Sequence, residues 1–222
     1  MTPPVPATET RIIVFARAPE PGRAKTRLIP LLGADGAAAL QGLLIERALA
    51  TARTAAVGQV ELWCEPSAQH PLLSAFMQRH GIEGVTQCDG DLGERMHHAT
   101  TSALASATHI LLIGTDCPAM AADDLRAAAA ALDAHDAVII PAEDGGYVLL
   151  GLNWRDARLF TNIEWGGDRV LAATRERLAA LDWRWHELPP LWDVDRPEDF
   201  ARLVASGLMP ELGQVPVSPH RS

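Results

Sequence analysis

The sequence predicts an α/β protein with a mixed, mostly parallel sheet covered by helices. Three observations carry that prediction. Apolar strand-like runs alternate with helix-patterned stretches nearly to the end of the 222 residues, the arrangement that gives parallel strands joined by crossover helices. One run, HILLIG at residues 109–114, is apolar without alternation, as a central strand buried on both faces must be. Two more runs, 137–141 and 147–152, are joined through Asp144-Gly145-Gly146, too short for a crossover. That pair must be antiparallel, and the sheet mixed.

The elements follow in order. Residues 11–15 form the first strand, and an alanine- and leucine-rich helix spans about 35–55, with Gly33 ahead of it. A second strand covers 59–64, a helix closed by Gly81 covers 71–80, and a shorter strand covers 82–88. The stretch 91–107 opens with Asp91 and Glu94 at capping-box spacing and continues as a helix. After the central strand come a helix at 123–134 and the hairpin strands. A long helix at 168–181, a strand at 183–188 and a helix at 195–205 complete the pattern. In the last, Asp-Arg-Pro-Glu puts proline inside the first turn, with Asp195 as the expected cap. Residues 1–10 read as a disordered lead, 11–206 as one domain and 207–222 as a loose tail.

Composition narrows the function. A hydrophobic content of 48% with 21% charged residues describes a globular chain able to bury a sizeable core. The formal net charge of −9 argues against broad nucleic-acid binding, which needs a basic face. No apolar run approaches the roughly 20 residues of a membrane span, and the start has neither a basic nor an apolar region, so no membrane is expected. Cys64, Cys88 and Cys117 lack metal-site spacing, and the first two lie in strand-like runs. Buried thiols in a reducing cytoplasm are the expectation.

Ligands of such folds gather at the carboxyl ends of the strands, and the sequence places charged groups there. After the first strand comes ARAPEPGRAKTRL, residues 16–28, with Arg17, Gly22, Arg23, Lys25 and Arg27. Cations, exposed backbone N–H groups and a following helix suit a phosphate, though a solvated basic loop has the same composition. As a loop cation, Lys25 is expected to contribute little to the core. After the central strand, Asp116 is fixed by the nearby Pro118 and is the best candidate ligand for Mg²⁺ or Mn²⁺, with a turn or cap aspartate as the alternative. Asp193 is the preferred second metal carboxylate, since capping accounts for Asp195.

Three glycine-bearing segments complete the candidates. Asp144-Gly145-Gly146-Tyr147 suits a hairpin turn and equally the close approach of a sugar or acceptor. Gly90, Gly93 and Arg95 surround the capping box and leave room for a base or sugar, while Arg95 equally suits a surface ion pair. Trp165, beside Gly166 and Gly167, is either core or a platform at a pocket. No zinc-spaced histidines, nucleophile elbow, Walker loop or G-x-G-x-x-G is present.

Together FARAPEPGRAKTRL, GDLGERM, IGTDCPAM, DGGYVLLGL, IEWGGDRVL and DVDRPEDF resemble the GT-A-fold nucleotide-diphospho-sugar transferase superfamily. The chain is most similar to its bacterial arsenosugar-biosynthesis-type glycosyltransferase branch, related to phospholactate and molybdenum-cofactor guanylyltransferases. The resemblance spans residues 11 to 206 and implies a three-layer α/β/α Rossmann-like GT-A fold. By similarity Arg17, Lys25 and Arg27 would meet phosphates, Asp116 would bind the divalent cation, Gly90 to Met96 would lie near the base or sugar, and Asp144 to Tyr147 near the acceptor. Two departures stand out: A-R-A-P-E-P-G-R replaces the glycine-rich nucleotidyltransferase opening, and T-D-C replaces D-x-D.

The expected activity is therefore a metal-dependent transfer from a nucleotide sugar to a small acceptor. Lys25 and Asp116 are the expected catalytic groups, with Asp144 the only candidate base. Nucleotidyl transfer from a nucleoside triphosphate to a phosphorylated small acid, with pyrophosphate release, is the first alternative. A non-catalytic nucleotide-binding regulator is the second.

Overall fold

A computed structural model describes residues 8–214. Seven strands form one sheet: β1 (Thr8–Arg17), β2 (Gln59–Glu65), β3 (Glu83–Thr86), β4 (Ala107–Ile113), β5 (Ala137–Pro141), β6 (Tyr147–Leu152) and β7 (Trp185–Glu187). Their spatial order is β3-β2-β1-β4-β6-β5-β7. Only β6 runs against its neighbours, pairing antiparallel with both β4 and β5. The mixed, mostly parallel sheet is as the sequence predicts. So is the central place of β4, whose last four residues, Ile110–Ile113, are all buried.

Six helices cover the two faces: α1 (Ile29–Ala55), α2 (Pro71–His80), α3 (Leu92–Ala103), α4 (Ala122–Ala131), α5 (Val170–Ala180) and α6 (Pro197–Ser206). The strand period of two decides which side chain meets which layer. Ile12, Val14, Leu111 and Ile113 face α1, α2 and α4, packing with Ile45, Leu73 and Leu125. Ile13, Ile110 and Leu112 face α3 and α5, packing with Met96 and Leu178. This is a three-layer α/β/α fold.

The boundaries follow local chemistry. Proline opens α2 and Gly81, at φ 60, closes it. Asp91 accepts from the Glu94 N–H at 2.9 Å and Glu94 returns to the Asp91 N–H at 2.8 Å, so α3 begins on the expected capping box. Helix α1 starts earlier than predicted, after a 3-10 turn at Thr26–Leu28, and breaks at Gly33 (φ 72, ψ 170). The stretch Thr26–Ala55 holds an 18-residue window of mean hydropathy 1.6, long and apolar enough for a membrane span, against the expectation of no such run. Half of it is buried, with Ile45 and Leu49 wholly covered by the sheet, so its apolar face belongs to the core.

The termini differ from expectation where described. Residues 8–10 already belong to β1. A 3-10 turn at Pro210–Gln214 follows α6, and Met209, 4% exposed, packs with Leu28, Leu44 and Leu203. The rest of the expected lead (1–7) and tail (215–222) lies outside the described residues.

Candidate functional site

Strand connections leave β1 toward β2 on one side while β4 flanks it on the other. The strand order thus reverses between β1 and β4, and a crevice beyond the carboxyl ends of strands at such a point is the usual ligand position of an open α/β sheet. A cavity of about 570 Å³ opens there. The cationic loop after β1 and the Gly114–Asp116 segment after β4 both line it, together with Asp144 from the hairpin turn and Asp193 and Asp195 ahead of α6.

Lys25 is the centre of this arrangement. Its ammonium lies 2.9 Å from Asp116 Oδ1 and donates to the carbonyl of Val194 at 2.5 Å. The expectation of a solvated loop cation is wrong here: the Lys25 side chain is only 3% exposed. Its backbone sits in the left-handed region at φ 47, a conformation kept by a non-glycine residue only where its surroundings hold it. Val194 supplies that hold. Its N–H donates to the Asp116 carbonyl at 2.8 Å, and its side chain is fully buried beside Leu28 and Leu203. One segment thereby fastens the loop to the end of β4.

Asp116 is oriented from behind. Gln41, buried in α1, donates to Thr115 Oγ1 at 3.1 Å, and the Thr115 hydroxyl donates to Asp116 Oδ1 at 3.2 Å. Asp193 precedes Val194 and so lies beside Asp116; its carboxylate interacts with those of both Asp116 and Asp144. Burial first, then these two carboxylates, push its pKa up to about 6, and Lys25 is the cation that opposes the shift. Burial likewise pushes the Cys117 thiol up to about 12, with Asp193 and Asp124 adding to it.

All four loop cations are neutralised by carboxylates. Arg17 pairs with Glu65 at 2.6 Å, Arg23 with Glu20 at 3.3 Å, Lys25 with Asp116, and Arg27 with Asp195. The last pair corrects the reading of Asp195 as a cap. The first turn of α6 is closed by Asp199, which accepts from the N–H groups of Asp195 and Arg196 at 3.1 and 2.7 Å.

The other predicted residues divide. Arg95, Gly146, Tyr147 and Trp165 line the cavity; Gly22, Gly90, Gly93 and Gly145 do not. Arg95 donates to the Gly90 carbonyl at 3.0 Å. The Tyr147 hydroxyl is turned inward onto Met96 Sδ at 3.7 Å, and burial raises its pKa well above the usual phenol range. Gly93 serves packing instead of a ligand: a Cβ there would lie 2.5 Å from the Phe160 carbonyl and 2.6 Å from Trp165 Nε1. Gly145, at φ 95, lets the Asp168 backbone approach the hairpin in the same way.

Sequence reasoning missed Gln41, Glu65 and Gln87 as lining residues, while Asp195, placed near the crevice but read as a cap, does line it. Gln41 had a signal, a polar side chain among the alanines and leucines of an apolar helix. Glu65 and Gln87 had none, because their partners lie far away in the chain.

The donor set suits a hard divalent cation. Asp116 and Asp193 are oxygen donors on neighbouring segments that line one cavity, and burial, followed by the nearby Asp144 and Asp116 carboxylates, raises the Asp193 pKa. Among the described residues no group of three or more His, Cys, Asp or Glu side chains is arranged to enclose a metal by itself. Any cation there would need ligands from substrate or water, as Mg²⁺ commonly does.

Comparison with solved structures places this fold among transferases. A candidate nucleotide-diphospho-sugar transferase of Desulfovibrio desulfuricans G20 is 28% identical, with a TM-score of 0.84 over 95% of this chain and 99% of that one. A CMP:2-keto-3-deoxy-manno-octonic acid synthetase complexed with CTP shares the fold at 14% identity and a TM-score of 0.59, covering 89% and 98%. Rv0371C of Mycobacterium tuberculosis H37Rv, solved with manganese, matches at 22% identity and 0.57, covering 90% and 99%. No curated protein matches the chain. Residues 48–167 match the model of the family described as "Uncharacterized protein conserved in bacteria (DUF2064)", and the chain belongs to that family.

Proposed function

We propose that the protein is a metal-dependent transferase that uses a nucleotide-activated donor, acting from a nucleotide-diphosphate sugar on a small acceptor in the cytoplasm. One observation carries the reading: Lys25 and three carboxylates, Asp116, Asp144 and Asp193, converge on a single cavity at the β1/β4 switch point. The likeness to the Desulfovibrio structure and the arsenosugar-type resemblance of the motifs support it.

Asp116 and Asp193 would hold Mg²⁺ or Mn²⁺. Bound there, the cation would neutralise diphosphate charge as the leaving group departs. An ammonium has three donors. Asp116 and Val194 take two of Lys25's, leaving one for a phosphate oxygen. Arg17, Arg23 and Arg27 line the same wall and would steady the remaining charge. Phe15, Leu92, Met96 and Trp165 also line the cavity and would give it an apolar surface for a base or sugar. In the reaction the bond from the sugar's anomeric carbon to the diphosphate breaks, and a bond to the acceptor oxygen forms. The acceptor proton passes to a base, for which Asp144 is positioned on the cavity wall. No protein nucleophile is required.

Nucleotidyl transfer is the second reading, and it is favoured by the four cations that line the cavity, which a triphosphate could engage in place of their carboxylate partners. Incubation with nucleotide sugars and nucleoside triphosphates, each with Mn²⁺, separates the two. Release of nucleoside diphosphate supports glycosyl transfer, and release of pyrophosphate supports nucleotidyl transfer. Absence of any nucleotide-dependent thermal shift, with or without Mn²⁺, sinks both.

A further inference from the structure

We propose that Asp195 is a built-in competitor for phosphate, holding Arg27 until a diphosphate displaces it. The inference rests on the phosphate-binding reading above. Arg27 follows Lys25 by two residues and lines the cavity, and its guanidinium is paired with the Asp195 carboxylate. The Arg27 side chain is 61% exposed, so the pair does not answer a burial requirement of the arginine.

The backbone beside Asp195 is held in place while its part-exposed carboxylate stays free to exchange. Its neighbour Val194 is pinned by the Asp116 carbonyl at 2.8 Å and by the Lys25 ammonium at 2.5 Å, and it is fully buried. Nor is the carboxylate used to cap α6, because Asp199 performs that task. Buried Val194 separates two aspartates that both line the cavity but meet different partners. Asp193 faces the carboxylates Asp116 and Asp144, and Asp195 faces the cation Arg27.

Carboxylate and phosphate oxygens engage the same planar fork of a guanidinium. A phosphate that takes Arg27 therefore expels Asp195, and the net gain is the difference between the two pairs. The exchange weakens the hold on phosphate while keeping Arg27 aimed at the cavity.

Calorimetric titration with magnesium pyrophosphate, a probe that carries no base or sugar, tests this on the full chain. Wild type is compared with Asp195→Asn, Arg27→Ala and the double variant. Asp195→Asn should bind about two- to fivefold tighter, the range expected for removing an exposed competing ion pair. Arg27→Ala should bind more weakly, and in its background Asp195→Asn should change nothing. Unchanged or weaker binding by Asp195→Asn overturns the proposal, weaker binding being the mark of a metal ligand. Equal tightening with and without Arg27 also overturns it, because that result reports only a general reduction of negative charge. If wild type binds no pyrophosphate, the phosphate-site reading fails together with it; if wild type binds and Asp195→Asn is neutral, that reading stands.

Discussion

The Lys25 ammonium and the Asp116 carboxylate lie 2.9 Å apart, joining the loop after β1 to the end of β4. The pair is asymmetric: the lysine side chain is 3% exposed and the aspartate 46%. Lys25 thus carries a structural load as well as facing the cavity, and the two roles must be measured separately.

Lys25→Met keeps most of the buried stem but removes the charge. Losing a buried, charge-assisted contact should cost about 2 kcal/mol, a fall in Tm of roughly 4–8 °C for a chain of this size. Thermal melts give the structural part. Nucleotide titration at a temperature where the variant remains folded gives the binding part, which should also fall.

Asp116→Asn should differ in its metal response. Its side chain is half exposed, but it is the counter-charge of the buried Lys25, so the fold should lose about 1–3 kcal/mol and binding must be read where the variant is folded. The additional thermal shift that Mn²⁺ confers on nucleotide binding should disappear. A variant that keeps the full Mn²⁺-dependent shift would remove Asp116 from the metal assignment.

Asp193 predicts a pH effect in metal-free protein. Its folded pKa, about 6, lies above the ordinary aspartate value of 3.8, so the folded state holds the proton more tightly than the unfolded state. The charged carboxylate therefore destabilises the fold above pH 6, and this penalty is relieved as pH falls from about 6 toward 4. Asp193→Asn should stabilise the metal-free protein by about 1–3 kcal/mol at pH 7.5. It should also flatten this part of the pH profile in denaturant unfolding.

Gly93→Ala tests the contact that seats Trp165. The added carbon would meet the Phe160 carbonyl at 2.5 Å and Trp165 Nε1 at 2.6 Å, so the loop must move. A loss of about 1–3 kcal/mol is expected for overpacking, with a shift in tryptophan fluorescence. A neutral substitution would show that this wall of the cavity yields readily.

The cysteines give a chemical check. Burial holds both Cys64 and Cys117 at pKa values of about 12, leaving almost no thiolate at pH 8. Cys88 lies beyond β3, half-buried instead of within a strand as expected. Alkylation of native protein at pH 8 should label Cys88 first, and unfolding should expose all three. Peptide mass spectrometry reads the order.

Much of the fold was legible because its signals are local. Helix α2 has proline at its start and glycine at its end, and the predicted bounds coincide with Pro71–His80. Strands β5 and β6 also match residue for residue, their register set by the turn through Gly145 and Gly146. Helix α1 was less legible at its start, where a 3-10 turn and the break at Gly33 interrupt the periodicity. Asp195 was misread for a related reason. The sequence offers two acidic caps for α6, and only the folded chain shows that Asp199 is used.

By itself, then, the sequence determined the alternation of strands and helices, the antiparallel hairpin and the gathering of charge at strand ends. Those features depend on side-chain periodicity and turn chemistry over a few residues. The tertiary structure alone decided that Lys25 is buried, that Val194 fastens it to Asp116, and that Asp195 meets Arg27 instead of capping a helix. Such pairings join segments far apart in the chain, and only the packing of helices onto the sheet sets the distance between them.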